Sequence, residues 1–236
     1  MKIGFIGLGN MGLPMAENLQ KAGYEVTGFD IKKNINTLIK ISNSFENFLI
    51  DNDVIFTMLP SGKEVSAVYN EIVAKSISSR IMIDCSTIDI KSTHSITELA
   101  KKHRLKTLDA PVSGGVGGAK DGTLTFMVGG DQKAFEKVKP LFEIMGKKAV
   151  YCGKSGSGQA AKMCNNMILG ISMIGVCEAF ILAEKIGLDI EKLYEVSSNS
   201  SGSCWALNTY CPAPGIGRKT PADNNYEPGF SSDLML

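Results

Sequence analysis

The sequence lacks several features that would place it in other classes of protein. Its 236 residues carry 25 Lys and Arg against 24 Asp and Glu, a formal net charge of +1. Nucleic acids and anionic membranes bind clustered excess positive charge, so we expect neither as a partner. We find no apolar run of the roughly 18–20 residues that a membrane span needs. Residues 1–7 contain no leader or transit pattern. These absences predict a soluble cytoplasmic protein, or a mitochondrial one if Met1 is not the original start.

Histidine is scarce, and the cysteines show no ligand spacing. The histidines are His94 and His103, and the cysteines are Cys85, Cys152, Cys164, Cys177, Cys204 and Cys211. No two cysteines form a C-x-x-C pair, so we expect no metal site. A catalytic cysteine needs a partner histidine, and neither histidine lies in a recognisable motif. We therefore expect reduced, mostly buried thiols and two histidines on the solvated surface.

Short apolar runs alternate with helical patterns over the first 109 residues. The patterns predict strands at residues 2–7, 24–29, 53–59, 80–84 and 105–109. They predict helices at residues 10–22 and 61–70, and a third helix that ends near residue 103 and is capped by Thr87 or Asp89. Strands and helices that alternate at this spacing indicate an α/β fold with a doubly wound, mostly parallel sheet.

The pattern changes after residue 109. Residues 110–130 contain seven glycines, which indicates backbone that is sharply turned or held close to a ligand. A helix at 131–145 and a strand at 149–152 follow. Residues 156–187 form a long helical pattern that is apolar on more than one face, as in helices buried between domains or subunits. We expect a further helix at 188–198 and a loop-rich segment at 200–229.

A glycine motif follows the first predicted strand and opens the first helix. The loop consists of Gly7, Leu8, Gly9, Asn10, Met11 and Gly12. In a dinucleotide site, Gly9 lets the backbone approach the pyrophosphate and Gly12 lets the helix pack closely on the strand. Asp30 ends the second strand, where a carboxylate binds the ribose 2′-hydroxyl and favours NAD over NADP. Lys32 and Lys33 count against this preference for NAD, because a nearby cation would tolerate the 2′-phosphate of NADP. The alternative to a dinucleotide site is a glycine turn in an unrelated α/β fold.

Two later strand ends should also reach a cofactor, because ligands lie beyond the carboxyl ends of parallel strands. One end carries Leu59 and Pro60, with Glu64 close behind, and the other carries Ser86 and Thr87. Hydroxyls at the second end would contact the nicotinamide or its ribose. The alternative for both ends is helix capping.

A substrate site is expected beyond the strand at 105–109. Ser113 offers a hydroxyl there, and the amides of Gly114 and Gly115 can converge on a carboxylate. Lys162 and Asn166 open the long apolar helix and, four residues apart, share one face. Burial lowers the pKa of a lysine, so Lys162 could exchange the proton that accompanies hydride transfer. The alternative is a solvated lysine with helix-surface amides.

The motifs together resemble the β-hydroxyacid dehydrogenase family. The matching segments are residues 5–12, 109–115, 122–130 and 158–166. Residues 201–205 and 210–215 resemble the 3-hydroxyisobutyrate dehydrogenase branch more closely than the tartronate-semialdehyde or succinic-semialdehyde branches. The resemblance implies NAD-dependent oxidation of 3-hydroxyisobutyrate to methylmalonate semialdehyde, a step of valine degradation.

The resemblance also assigns roles to single residues. Lys162 would be the catalytic acid and base, and Ser113, Gly114, Gly115 and Asn166 would hold the small β-hydroxyacid. Leu59, Pro60, Glu64 and Thr87 would contact the cofactor. Related proteins often carry another polar residue at the position of Glu64.

The resemblance implies two domains, an NAD-binding Rossmann domain at 1–161 and a helical substrate and dimerisation domain at 162–236. Relatives continue beyond this chain through further helices and another cofactor-contacting lysine, so the second domain is expected to be incomplete. The full fold would form a homo-oligomer. A non-catalytic remnant that binds only nucleotide or a partner is the alternative, with weak turnover and a tendency to aggregate.

Overall fold

A computed structural model of the chain describes residues 1–32, 34–75 and 80–226. The chain divides into two compact units, Met1–Lys162 and Met163–Leu236. The predictions about Lys33 and about residues 227–236 lie outside the described residues.

The first unit contains a mixed sheet, nine-stranded in the described residues. Its strands are β1 (Lys2–Ile6), β2 (Glu25–Phe29), β3 (Lys40–Ile41), β4 (Val54–Thr57), β5 (Ile81–Asp84), β6 (Lys106–Asp109), β7 (Val112–Ser113), β8 (Leu124–Gly130) and β9 (Gly146–Gly153). The order is β3-β2-β1-β4-β5-β6-β8-β7, and β9 pairs with β8. Neighbours from β3 to β6 are parallel, whereas β8 is antiparallel to β6 and β7. The predicted doubly wound, mostly parallel sheet is confirmed.

Helices cover both faces of this sheet. They are α1 (Gly12–Lys21), α2 (Phe45–Asp51), α3 (Gly62–Ala74), α4 (Ile90–Lys102), α5 (Gly115–Asp121) and α6 (Gln132–Met145). Successive residues of a strand point to opposite faces. Phe5 and Phe56 therefore join a cluster with α1 and α6, whereas Ile55 and Met82 join one with α3 and α4. The sheet thus has an apolar core on each side.

Side-chain caps set where several of these helices begin. Ser61 accepts a hydrogen bond from the Lys63 amide at the start of α3. Asp89 accepts one from the Ser92 amide at 2.8 Å at the start of α4. Of the two cap candidates for α4, Asp89 is therefore the cap, and Thr87 lies in the preceding loop.

The glycine-rich stretch 110–130 folds into regular elements, β7, α5 and β8, that its composition does not suggest. Positive φ values occur at the element ends, where Gly114, Gly115, Gly122 and Gly130 have φ of 136°, 61°, 64° and 129°. Helix α5 is tied to α1 because the Asn18 side chain donates to the Ala119 carbonyl at 2.8 Å. Tertiary contacts therefore organise a segment of low intrinsic helix propensity.

The second unit is helical in its described residues. It contains most of α7 (Ser157–Ile186), then α8 (Ile190–Ser198), α9 (Trp205–Asn208) and a 3-10 turn (Pro221–Asn224). Its core is formed by Val176, Phe180, Ala206, Leu207, Cys211 and Ile216. The predicted helical region after the Rossmann sheet is confirmed.

Helix α7 leaves apolar side chains in solvent. Met167, Ile168, Ile171 and Ile174 are each 62–65% exposed. By length and composition alone, α7 could cross a membrane, with a mean hydropathy of 1.9 over its most apolar window. The expectation that no segment is long and apolar enough to cross a membrane was wrong. Core helices of soluble proteins also have this length and hydropathy. Burial of α7 against a domain or subunit stays a prediction.

The six cysteines are free thiols, but only Cys85 and Cys211 are buried. The expectation of mostly buried thiols was therefore wrong, since Cys164 is exposed and the others are half-buried. His94 and His103 are both exposed, as expected.

Candidate active site

The glycine loop after β1 lies at the point where the strand order reverses, between β1 and β4. Gly7 has φ of 90°, and a side chain there would press on the Met58 carbonyl. Gly9 differs, because a Cβ atom at this position would meet nothing within 4 Å. Packing of the described chain does not require a glycine at this position. An approaching pyrophosphate does, so the loop fits a dinucleotide.

The start of α1 is also suited to an anion. Met11 occupies the N-cap position, and no described side chain caps the first turn. The amides at a helix N-terminus carry partial positive charge and favour phosphate groups. Gly12 begins the helix, where a Cβ atom would press on the Gly7 carbonyl oxygen. This glycine therefore serves close packing, whereas Gly9 leaves room for the ligand.

Asp30 joins the end of β2 to the glycine loop. Its carboxylate accepts hydrogen bonds from the Leu8 amide at 2.7 Å and the Lys32 amide at 2.8 Å. Each carboxylate oxygen has a second lone pair, so a ribose hydroxyl can still be bound. Asp30 is half-buried and Lys32 is exposed. The arrangement keeps a negative charge where the ribose of a dinucleotide is expected.

The two later strand ends contact each other. The Leu59 amide donates to the Ser86 hydroxyl at 2.9 Å, which ties the loop after β4 to the loop after β5. Thr87 is half-buried beside this contact. Pro60 and Glu64 are exposed, and Glu64 is bound by the Ser61 hydroxyl, which lowers the pKa of its carboxyl. Glu64, in the first turn of α3, therefore has a structural partner in the N-cap residue Ser61.

A buried carboxyl that the sequence analysis did not select lies beneath these loops. Asp84 ends β5 and is 5% exposed. It accepts hydrogen bonds from the Thr57 hydroxyl at 2.8 Å and the Ser86 amide at 3.1 Å. Burial raises the pKa of Asp84 from 3.8 to about 6, against the effect of these bonds. Asp84 thus supports the loops after β4 and β5 from below.

Lys162 is buried in the second turn of α7, with 6% of its surface exposed. Burial lowers the pKa of its ammonium group. The ion pairs found in the described part of the chain do not include Lys162. A lysine that loses hydration without forming an ion pair with the described residues gives up its proton more readily than a solvated lysine, so it can act as a proton acceptor.

The start of α7 is held by Asp109, at the end of β6. The carboxylate accepts hydrogen bonds from the Gly156 amide at 2.8 Å and the Gln159 amide at 3.1 Å. Burial raises the pKa of Asp109, whereas these bonds lower it. Asp109 therefore fixes the helix that carries Lys162 to the same sheet edge as the two loops.

The predicted substrate residues lie just after β6. Ser113 is half-buried and pairs with Thr125 of β8. Gly114 and Gly115 are exposed, with the positive φ values given above. Asn166 belongs to the second unit and is 8% exposed. Substrate binding by these four residues stays a prediction.

Two family models match the chain. The NAD binding domain of 6-phosphogluconate dehydrogenase matches residues 2–153. The NAD-binding region of NADP-dependent 3-hydroxyisobutyrate dehydrogenase matches residues 156–236. Both matches support NAD as the cofactor.

Known proteins resemble the chain over nearly all its length. A probable 3-hydroxyisobutyrate dehydrogenase of Mycobacterium tuberculosis is 43% identical over 238 residues, which are 99% of this chain and 81% of the relative. An NAD-dependent L-serine dehydrogenase of Pseudomonas aeruginosa is 43% identical, with 99% and 81% covered. A solved structure of the M. tuberculosis 3-hydroxyisobutyrate dehydrogenase with L-serine has a TM-score of 0.89 and 42% identity, and the match covers 99% of this chain and 82% of that one.

Proposed function

Because the chain belongs to the 3-hydroxyisobutyrate dehydrogenase family of β-hydroxyacid dehydrogenases, we propose that it oxidises 3-hydroxyisobutyrate to methylmalonate semialdehyde with NAD, in valine degradation. The observation that carries this proposal is the buried Lys162, which is held at the sheet edge that also carries the glycine loop. Lys162 is buried and forms no ion pair with the residues that the structure describes, and proton transfer explains such a placement.

In the proposed reaction the substrate loses a proton and a hydride. When NAD is bound, it would supply the acceptor for the hydride that leaves the alcohol carbon. The neutral amine of Lys162 takes the hydroxyl proton, and the alcohol becomes an aldehyde. Ser113 and the amides of Gly114 and Gly115 bind the carboxylate, and Asn166 is a further substrate contact. In the reverse direction Lys162 returns the proton.

The proposed cofactor contacts follow the glycine loop from Gly7 to Gly12. Asp30 binds the ribose hydroxyls and disfavours a 2′-phosphate, which supports NAD over NADP. Leu59, Pro60 and Thr87 line the nicotinamide side. Glu64 is a further proposed contact, although its carboxyl already accepts a hydrogen bond from Ser61.

The test measures NADH formation by the purified chain with 3-hydroxyisobutyrate. Lys162→Met should lower kcat by about 10²–10⁴-fold, the usual contribution of a general base. NAD binding, followed by fluorescence, should stay unchanged. Lys101→Met alters an exposed lysine of α4 and is the matched control. Equal turnover by Lys162→Met and the wild type would contradict the assignment.

L-Serine is a second candidate substrate. It has the same carboxylate and hydroxymethyl group as 3-hydroxyisobutyrate and differs by an amino group in place of a methyl group. One similar protein is named an L-serine dehydrogenase, and one similar structure contains L-serine. The ratio of kcat/KM for the two substrates decides between them, and tartronate and succinic semialdehydes test the other branches. Absence of turnover with all four, beside intact NAD binding, would support a non-catalytic chain.

We also propose a cofactor domain at 1–161 and a helical substrate and dimerisation domain at 162–236. Light scattering tests for the expected homo-oligomer. The proposed location is the cytoplasm, or the mitochondrion if translation begins upstream of Met1, and fractionation of cells distinguishes the two.

A further inference from the structure

The side chain of Gln159 bridges two parts of the candidate site. It lies in the first turn of α7 and is 0% exposed. Its amide nitrogen donates to the Ser86 carbonyl at 2.8 Å, and its amide oxygen accepts from the Ile88 amide at 3.2 Å. One side chain thus holds the backbone on both sides of Thr87.

The backbone of Gln159 is fixed just as closely. Its amide donates to Asp109, as described above. A Cβ atom at the preceding Gly158 would lie 2.6 Å from the Asp109 carbonyl oxygen and 2.8 Å from its carboxylate. The first turn of α7 is therefore packed against the end of β6 without space for a shift.

We propose that Gln159 is a positioning residue that sets the place of Lys162 relative to the loop at Thr87. The inference rests on the proposed function of Lys162. Residues three apart lie on the same side of a helix, so a change at Gln159 is passed directly to Lys162. A base displaced by about 1 Å from its reacting proton can lose roughly 10²-fold in rate. Gln159 thereby aligns the base with the cofactor side of the site.

The activity test compares Gln159→Met with the wild type. Methionine has a similar length but forms neither amide hydrogen bond. We expect kcat to fall about 10–100-fold, with much smaller changes in KM for the hydroxyacid and in Kd for NAD. The isotope effect on kcat with substrate deuterated at the alcohol carbon should rise, because hydride transfer then limits turnover.

A matched control and a second variant separate positioning from folding. Gln20→Met in α1 also removes a glutamine bond to a backbone carbonyl, that of Leu38 at 3.2 Å, and should leave kcat unchanged. Gln159→Asn keeps the polarity but is too short to hold Ser86 and Ile88 together. It should show the same loss of kcat, and thermal unfolding checks that each variant is folded.

Two measurements need no turnover. The rate at which Lys162 is acetylated at different pH values can be followed by mass spectrometry. This rate should differ from that of the wild type in Gln159→Met and equal it in Gln20→Met. The Ile88 amide should exchange its hydrogen faster in Gln159→Met. If the wild type oxidises no hydroxyacid, the proposed function fails, and these two measurements still decide the positioning role. Unchanged Lys162 reactivity, or a loss confined to NAD affinity, would overturn the inference.

Discussion

Replacing Asp84 with asparagine should change how the stability of the first unit depends on pH. Burial raises the pKa of this carboxyl from 3.8 to about 6, so the folded state favours its protonated form. The protonated carboxyl therefore contributes stability to the folded state. This contribution is fully present below pH 3.8 and is lost as the pH rises through about 6. Each unit of pKa difference between the folded and unfolded states corresponds to 1.36 kcal/mol, so the full loss of stability amounts to about 3 kcal/mol.

The groups that face Asp84 do not obscure this change. Burial raises the pKa values of Tyr69 and Cys85 well above their ordinary range, so both stay uncharged in acid. Asp109 is a charged neighbour, and its negative charge contributes to the raised pKa of Asp84. The comparison of the wild type with Asp84→Asn cancels the titration of groups that the substitution does not touch.

The assay is urea denaturation followed by circular dichroism at pH 4 and pH 7. The free-energy difference between Asp84→Asn and the wild type should shift by about 2.4 kcal/mol in favour of the variant from pH 4 to pH 7, because part of the full loss has already occurred at pH 4. Asp121→Asn, at an exposed carboxyl, is the control. A carbon-13 titration should place the Asp84 midpoint near 6. A shift no larger than that of the control, or a midpoint near 3.8, would refute the reasoning.

Four further substitutions probe the site. Gly7→Ala should destabilise the fold by more than about 1 kcal/mol because of its positive φ, whereas Gly9→Ala should leave the melting temperature unchanged and weaken NAD binding. Calorimetry distinguishes the two, and equal effects would contradict the separate roles. Asp30→Asn should raise the kcat/KM ratio of NADP to NAD by roughly fivefold, from about 1 kcal/mol of relieved charge repulsion; an unchanged ratio counts against Asp30. Asp109→Ala leaves the Gly156 and Gln159 amides unsatisfied and should lower the free energy of unfolding, measured by urea denaturation, by about 2–5 kcal/mol. A loss below about 1 kcal/mol would contradict the role of Asp109 in holding the start of α7.

Local patterns predicted the parallel half of the sheet because its strands are continuous apolar runs that end at turn residues. The same reasoning left residues 110–130 without elements, since glycine has low propensity for both helix and strand. Helix α5 forms there because Asn18 of α1 binds it and β8 pairs with both β6 and β9. Such contacts join segments far apart in the chain, so no short window contains their signal. Helix α2 was also missed although its cap, Ser44, is local, and strand β3 has only two residues, too few for a pattern.

The residues of the candidate site also fall into those that local sequence patterns locate and those that depend on distant contacts. The glycine loop and Asp30 have fixed spacing, so the sequence alone locates them. The roles of Asp84 and Gln159 depend on partners in other elements. A carboxyl that ends an apolar strand, as in Asp84, and a glutamine at the opening of an apolar helix were the signals available. Neither signal indicates its partner.

The bonds between α7 and the earlier strands also determine the order in which the site matures on the ribosome. Gln159 is 73 residues from Ser86, and Asp109 is 47 residues from Gly156. The amino-terminal part of a chain emerges and begins to fold first. A nascent chain stalled before residue 156 therefore has its glycine loop but neither the lysine nor the amides that hold Asp109. Since a ligand stabilises whichever state binds it, NAD can stabilise the growing domain before Lys162 has been added to the chain.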